Sequence, residues 1–277
     1  MTVVEPVIPS KPSIQVGPPE TQGDLANVEN TVKISSENIG CSEPNAVFNE
    51  TGFDLASLSV TASSAVTEFG ENSAVLIIHT HGTECYAPEG DTVSADENFR
   101  RDDPAENVVA VGKAFAEILE ENGVRAIHCT EMFDRESYID AYVRSARAVK
   151  EYMEKYPEIT CVVDIHRDAV IRSDGTVIKS DGDGKAQLMI VCGTGEMGAD
   201  FPDWRGNFLF GREFQKKLFE NDPSIVRHMN LRSASFNQQL CDRYLLLEVG
   251  TCGNTLEEAK TSARIAASTF AELLLGE

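Results

Sequence analysis

The pattern of apolar and polar positions changes character near residue 73. Residues 1–72 mix Ser, Glu, Asn and Val without a period and carry six of the eleven prolines but only two basic residues, Lys11 and Lys33. A stretch of this kind reads as a disordered tail or linker, with Phe53-Asp54-Leu55 as one apolar patch able to dock. From Ser73 the chain runs into Ala74-Val75-Leu76-Ile77-Ile78, a continuous apolar run of strand length that suits burial on both faces. Residues 105–122 place Val108, Val111, Phe115, Ile118 and Leu119 at helical spacing, with Pro104 opening the segment and Gly123 closing it. Strand-like 124–129, helical 135–156 and the apolar run 159–165 follow. Asp174-Gly175 between two short β-like arms predicts a hairpin over 170–178. Further strands are expected at 186–192 and 244–249, helices at 204–220 and 256–275, and Asn254 as the N-cap of the last helix. This alternation predicts an α/β fold: a mostly parallel open sheet with helices on both faces, a β-hairpin insertion, and one catalytic domain over 73–277.

Charge narrows the functions available. With 45 Asp+Glu against 24 Lys+Arg the formal charge is -21, which repels phosphate backbones and leaves no electrostatic basis for nucleic-acid binding. The seven cysteines stand singly, with no C-x-x-C pair, which argues against a cysteine zinc finger or a redox motif. There is no run of eighteen apolar residues and no basic-plus-apolar leader, so a soluble chain is expected unless an anchor lies outside these residues.

The unusual polar residues fall at strand ends, where an open α/β sheet gathers its functional groups. Strand 74–78 runs into His79-Thr80-His81-Gly82-Thr83-Glu84, strand 159–165 into His166-Arg167-Asp168, and strand 244–249 carries Glu248. Catalytic zinc takes about three His or carboxylate ligands and keeps a position open for water. His81 and Glu84 in H-x-x-E, joined by His166, make such a set. Glu248, where a strand ordinarily carries an apolar residue, is the candidate for moving the proton, or else half of an ion pair with Arg243 or Arg167.

The motifs I-I-H-T-H-G-T-E at 77–84, V-V-D-I-H-R-D-A at 162–169 and L-L-E-V-G-T at 246–251 resemble those of the stage II sporulation protein P family, as do residues 107–112, Ser137-Tyr138 and Ser145-Ala146-Arg147. The resemblance covers about residues 73–275. It implies a zinc amidase fold, more distantly like zinc carboxypeptidases of the phosphorylase/hydrolase type. It also implies cleavage of the N-acetylmuramoyl-L-alanine amide of peptidoglycan, with endopeptidase activity beside it, during forespore engulfment. The expected setting is extracytoplasmic, facing the cell wall, with peptidoglycan and other engulfment-machinery proteins as partners; the family's usual membrane anchor is not seen in these residues. Within the resemblance the third zinc ligand is Glu84 by the carboxypeptidase pattern, or Glu106 or Glu97 by the amidase pattern, with Glu84 preferred for its fixed spacing. His79 is either an orienting group or the ligand in place of His81. Arg167 and Asp168 carry over as substrate-orienting residues, or as a salt bridge of Arg167 to Asp164 or Asp168. Two rivals remain: a stem-peptide endopeptidase or carboxypeptidase with the same metal site, and a binding module for peptidoglycan or a partner that has lost catalysis.

Overall fold

The structure, a computed structural model, describes residues 30–55, 69–197, 200–201 and 203–276. The run at 74–78 is strand β3 (Ala74–Ile78), and every residue in it is buried. Its alternate positions serve two cores. Val75 and Ile77 pack beneath helices α1 (Val108–Glu121), α3 (Trp204–Asn221) and α4 (Leu256–Leu275), while Ala74, Leu76 and Ile78 face α2 (Ala141–Lys155). Such two-sided burial is what a continuous apolar run, rather than an alternating one, permits. On the three-helix side Phe270 gathers Phe115, Phe210 and Phe214, with ring centroids 6.0, 5.8 and 4.9 Å away.

Strands β5 (Arg125–His128), β3, β6 (Ile159–Asp168) and β10 (Tyr244–Thr251) lie side by side and parallel. Beyond β10, β8 (Leu188–Gly193) runs antiparallel, followed by β9 (Met229–Arg232) and β2 (Val47–Asn49), which are parallel to β8. The expected mostly parallel sheet with helices on both faces is thus present, with one reversal between β10 and β8. A second sheet has the order β4 (Thr92–Ser94), β1 (Thr31–Glu37), β7 (Val177–Ser180). The Asp-Gly hairpin forms where expected: Arg172 and Ile178 donate to Thr176 and Val170 carbonyls, and Gly175 sits at φ 87, the left-handed region that such a turn needs.

Three elements differ from the sequence reading. Strands β1 and β2 lie within the stretch 1–72 read as a tail; residues 1–29 and 56–68 are outside the described residues. In β1 only Ile34 is buried, so its apolar signal is weaker than that of a central strand. The last helix is capped by Thr255, which forms a reciprocal capping box with Glu258. Asn254 instead ties three segments together: its Oδ1 accepts from Thr251 N (2.9 Å), Ser180 N (3.2 Å) and Ser180 Oγ (2.8 Å), and its Nδ2 donates to Ser180 O (2.9 Å) and Glu258 Oε2 (3.1 Å). Finally, α2 begins at Ala141 rather than 135.

Asn254→Ala would strand the buried Thr251 and Ser180 amides. It is expected to destabilise the protein by roughly 2–4 kcal/mol in chemical denaturation. A loss of only a few tenths would mean that the joint between β7, β10 and α4 is held elsewhere.

Candidate metal centre

The two-residue period of a strand places the site's side chains. In β6, Cys161, Val163 and Ile165 face the three-helix core, which turns Asp164 and His166 toward α2. In β10, Leu245, Leu247 and Val249 face that same core, which turns Glu248 toward α2. Glu248 and His166 are register partners in the parallel pair, so the two lie beside each other at the carboxyl ends of their strands.

The H-x-x-E segment reaches the same place by turning. Thr80 binds the buried Asp164 carboxylate twice, through its amide at 2.9 Å and its hydroxyl at 2.6 Å, anchoring the chain as it leaves β3. Glu84 N then donates to His81 O at 3.0 Å, which closes a turn with both side chains on one side. His81 Nδ1 lies 3.8 Å from Glu84 Oε1, and His166 Nδ1 lies 3.6 Å from Glu84 Oε2. The possible ligand atoms of His81, Glu84 and His166 all fall within 4.8 Å of one another, and all three residues are buried.

The donor set fits a zinc ion. Tetrahedral ligands at ordinary zinc distances stand about 3.4 Å apart, close to the two nitrogen–oxygen separations here. His81 Nε2 and Glu248 Oε2 are buried without a hydrogen-bond partner, an unusual condition for polar atoms in a finished fold. Behind His166, Nε2 lies 3.0 Å from Asp164 Oδ1, although off the line of a true hydrogen bond. A carboxylate behind a histidine fixes its ring orientation and raises its basicity. The His81 ring is held by stacking on Tyr138, centroids 4.2 Å apart, with Tyr142 and His166 set edge-on to it.

Burial and charge set the protonation states. Burial pushes His81 down to about 3 against the pull of Glu84, so it is neutral and able to donate a lone pair. Burial opposes ionisation of Glu84, but Arg167, His166 and His81 outweigh it and hold the carboxyl well below its usual range. Burial likewise disfavours charge on His166, yet Asp164 and Glu84 on either side raise it well above the ordinary histidine range. Glu248 is pushed up to about 8 by burial and by the neighbouring Asp168.

The other sequence candidates lie elsewhere. His79 is buried on the opposite face, where its Nδ1 donates to Ile165 O (3.1 Å) and its Nε2 accepts from His128 Nε2 (2.9 Å). A Cβ on Gly112 of α1 would meet that ring at 2.3 Å, so the helix approaches it closely. The expectation that 79 and 81 share a face needs an extended chain; β3 ends at Ile78 and residues 80–83 turn. Glu106 is exposed on the turn before α1 and outside the cluster, and Glu97 is gripped by Arg101 at 2.9 and 2.7 Å. Arg167 is buried and spent within the protein: it donates to Cys85 O and Phe99 O, each at 3.0 Å, and its Nη1 lies 3.8 Å from Glu84 Oε1. Asp168 pairs with Arg227 at 2.9 Å. Sequence reasoning passed over Asp164 as a partner of His166, although its two-residue phase with His166 in an apolar run was a usable signal. It also missed Arg100, Tyr138 and Tyr142, which only the fold brings to the site.

The described residues hold no helix long and apolar enough to cross a membrane. Two solved structures share part of the backbone arrangement. The N-acetylmuramoyl-L-alanine amidase AmiC2 of Nostoc punctiforme matches at TM-score 0.42 and 16% identity, over 74% of this chain and 94% of that one. The CwlD amidase from Clostridioides difficile, solved in complex with the GerS lipoprotein, matches at TM-score 0.43 and 15% identity, over 74% and 96%. A curated relative, stage II sporulation protein P of Bacillus subtilis (strain 168), is 30% identical over 217 residues, covering 74% of this chain. The chain spans about half the length of that relative, 52%. The family model for Stage II sporulation protein P matches residues 14–271, so the chain belongs to that family.

Proposed function

We propose that this chain is a zinc-dependent peptidoglycan hydrolase that cleaves the amide between N-acetylmuramic acid and the L-alanine of the stem peptide. In this reading it works outside the cytoplasm during engulfment, beside other proteins of that machinery. The observation that carries the reading is the buried His81–Glu84–His166 cluster with the unpartnered Oε2 of Glu248 on the adjoining strand. Family membership supplies the biological setting.

His81, Glu84 and His166 would hold the zinc ion. When bound, it supplies Lewis-acid polarisation of the amide carbonyl and acidifies a water molecule. Glu248 removes a proton from the attacking water and returns it to the departing alanine nitrogen; a group with a raised pKa suits both halves of that transfer. Asp164 steadies the His166 ring, and Tyr138 the His81 ring. Arg167 donates through its amide to Glu84 Oε2 at 3.3 Å and keeps that carboxylate ionised and aimed.

Mass analysis of digested sacculi tests the reaction: glycan freed of peptide, together with intact stem peptides beginning at L-alanine, is expected. Shortened peptides on intact glycan would instead mark a peptidase. Glu248→Gln is expected to lower kcat/KM by about 10²–10⁴-fold while the purified protein keeps its zinc; full activity in this variant would remove Glu248 from the mechanism.

The same variant has a stability signature. The fold disfavours ionised Glu248, so that part of wild-type stability is complete below the ordinary value of 4.5 and lost as pH rises through about 8. Metal-free Glu248→Gln should therefore melt higher than metal-free wild type at pH 9, by on the order of a few kcal/mol, and differ little at pH 4. Equal melting at both pH values would contradict the raised pKa.

Zinc uptake is expected to release about one to two protons at pH 7, because His166 must lose its proton and the nearby cation favours ionisation of Glu248, while Glu84 is already ionised and His81 already neutral. Calorimetry in buffers of different ionisation enthalpy reads this directly, and an enthalpy independent of buffer would exclude it.

A further inference from the structure

A cleft of about 610 Å³ opens beside the ligand cluster, and its lining includes Arg100, Arg101, Arg135 and Arg167 against Asp102 and Asp134. Each of these arginines faces a carboxylate, Arg100 that of Asp134, Arg101 that of Glu97, Arg135 that of Asp102 and Arg167 that of Glu84, so guanidinium donors are gathered here in a chain whose formal charge is -21. The cleft and the metal centre share a wall. Tyr138, which stacks on His81 at 4.2 Å, lines the cleft and carries the Arg100 guanidinium 4.9 Å above its ring. Arg100 Nη2 lies 3.6 Å from Glu84 Oε1, so Arg100 and Tyr138 stand between the cleft and the cluster and touch both.

The four arginines are not equivalent. Arg167 is buried and committed to backbone carbonyls, and Arg101 is held by both oxygens of Glu97. Arg100 is oriented rather than consumed: Asp134 and Thr83 fix its Nη1, Tyr138 supports its face, and its side chain is 24% exposed. Arg135 is half exposed; its Nε pairs with the exposed Asp102 carboxylate at 3.3 Å and its Nη2 donates to Asp102 O at 2.9 Å. An exposed pair of that kind exchanges its partner at little cost. Two guanidinium groups on one cleft, one fixed in the wall and one half exposed, suit a carboxylate, which accepts two guanidinium hydrogen bonds at once.

We infer that this cleft is the stem-peptide subsite, and that Arg100 and Arg135 bind the α-carboxylate of the γ-linked D-glutamate at the peptide's second position. The inference rests on the amidase reading and adds to it the part of the substrate that is recognised. The cleft volume matches that of a small-ligand pocket, large enough for two or three peptide residues. Two residues of extended chain span about 7 Å, so the second residue of a peptide cleaved at the cluster can reach into the adjoining cleft. L-Alanine carries no charge of its own, so the second residue offers the first anion beyond the scissile bond.

The test uses the zinc-loaded chain and two synthetic muramoyl tripeptides that differ only in having the D-glutamate α-carboxylate free or as the primary amide. The acid is expected to be cleaved with kcat/KM about 10–100-fold higher than the amide, the scale of a charge-assisted pair. Arg135→Gln and Arg100→Gln should each shrink that preference, chiefly by slowing cleavage of the acid. Because Arg100 also approaches Glu84, Arg135→Gln is the deciding variant, and its zinc content should equal that of wild type. Equal rates on the two substrates in wild type would overturn the subsite and leave the amidase reading standing. A preference untouched by Arg135→Gln would overturn the assignment to this cleft. Cleavage of neither substrate would remove the amidase reading and the subsite with it.

Discussion

The arrangement depends on keeping the carboxylate of Glu84 ionised where water hardly reaches it. A lone buried carboxylate takes up a proton or unfolds its surroundings, so its charge has to be compensated inside the fold. Here the compensation comes from Arg167, His166 and Arg100, which arrive from β6 and from the loop before α1. Arg167 does the most to join these parts. The side chain that faces Glu84 also clamps the carbonyls of Cys85 and Phe99, whose side chains pack with Ile34 of β1 and Val177 of β7. The small second sheet therefore bears on the metal centre through this one guanidinium.

This is also why β1, within a stretch whose composition suggests no structure, forms a strand at all. It pairs with β7 and β4 along seven residues but buries only Ile34, so its contribution lies in backbone pairing and in backing the loop at 85–99. Hydrophobic pattern cannot report such a role. The central strands are the opposite case: β3, β8 and β10 are sealed between helical layers, and their continuous apolar runs could only be read one way.

At the site, the residues legible in the sequence were those that broke a strong pattern. Glu248 interrupts an apolar strand, and His166 ends one. His79 and His81 could not be separated, because their difference lies in where the chain stops being extended: His79 keeps the phase of β3 and enters the α1 face, whereas His81 belongs to the turn. The same limit applies to Asn254, whose type suits a helix cap but whose side chain is captured by Ser180, a residue 74 positions away in sequence. Arg100 and Tyr138 gave no local signal. Their importance comes from a juxtaposition of the loop before α1 with the approach to α2 that only tertiary structure creates.

The charge balance then acquires a second meaning. The formal charge of -21 and the four arginines around the cleft act over different distances. These effects do not cancel, because at physiological ionic strength charges separated by more than about 8 Å are largely screened from one another. Under the inferred subsite, a carboxylate in the cleft would respond to Arg100 and Arg135 and hardly to distant surface acids. What the cleft can bind is accordingly a matter of where the few arginines lie, and the fold concentrates four of them around one opening.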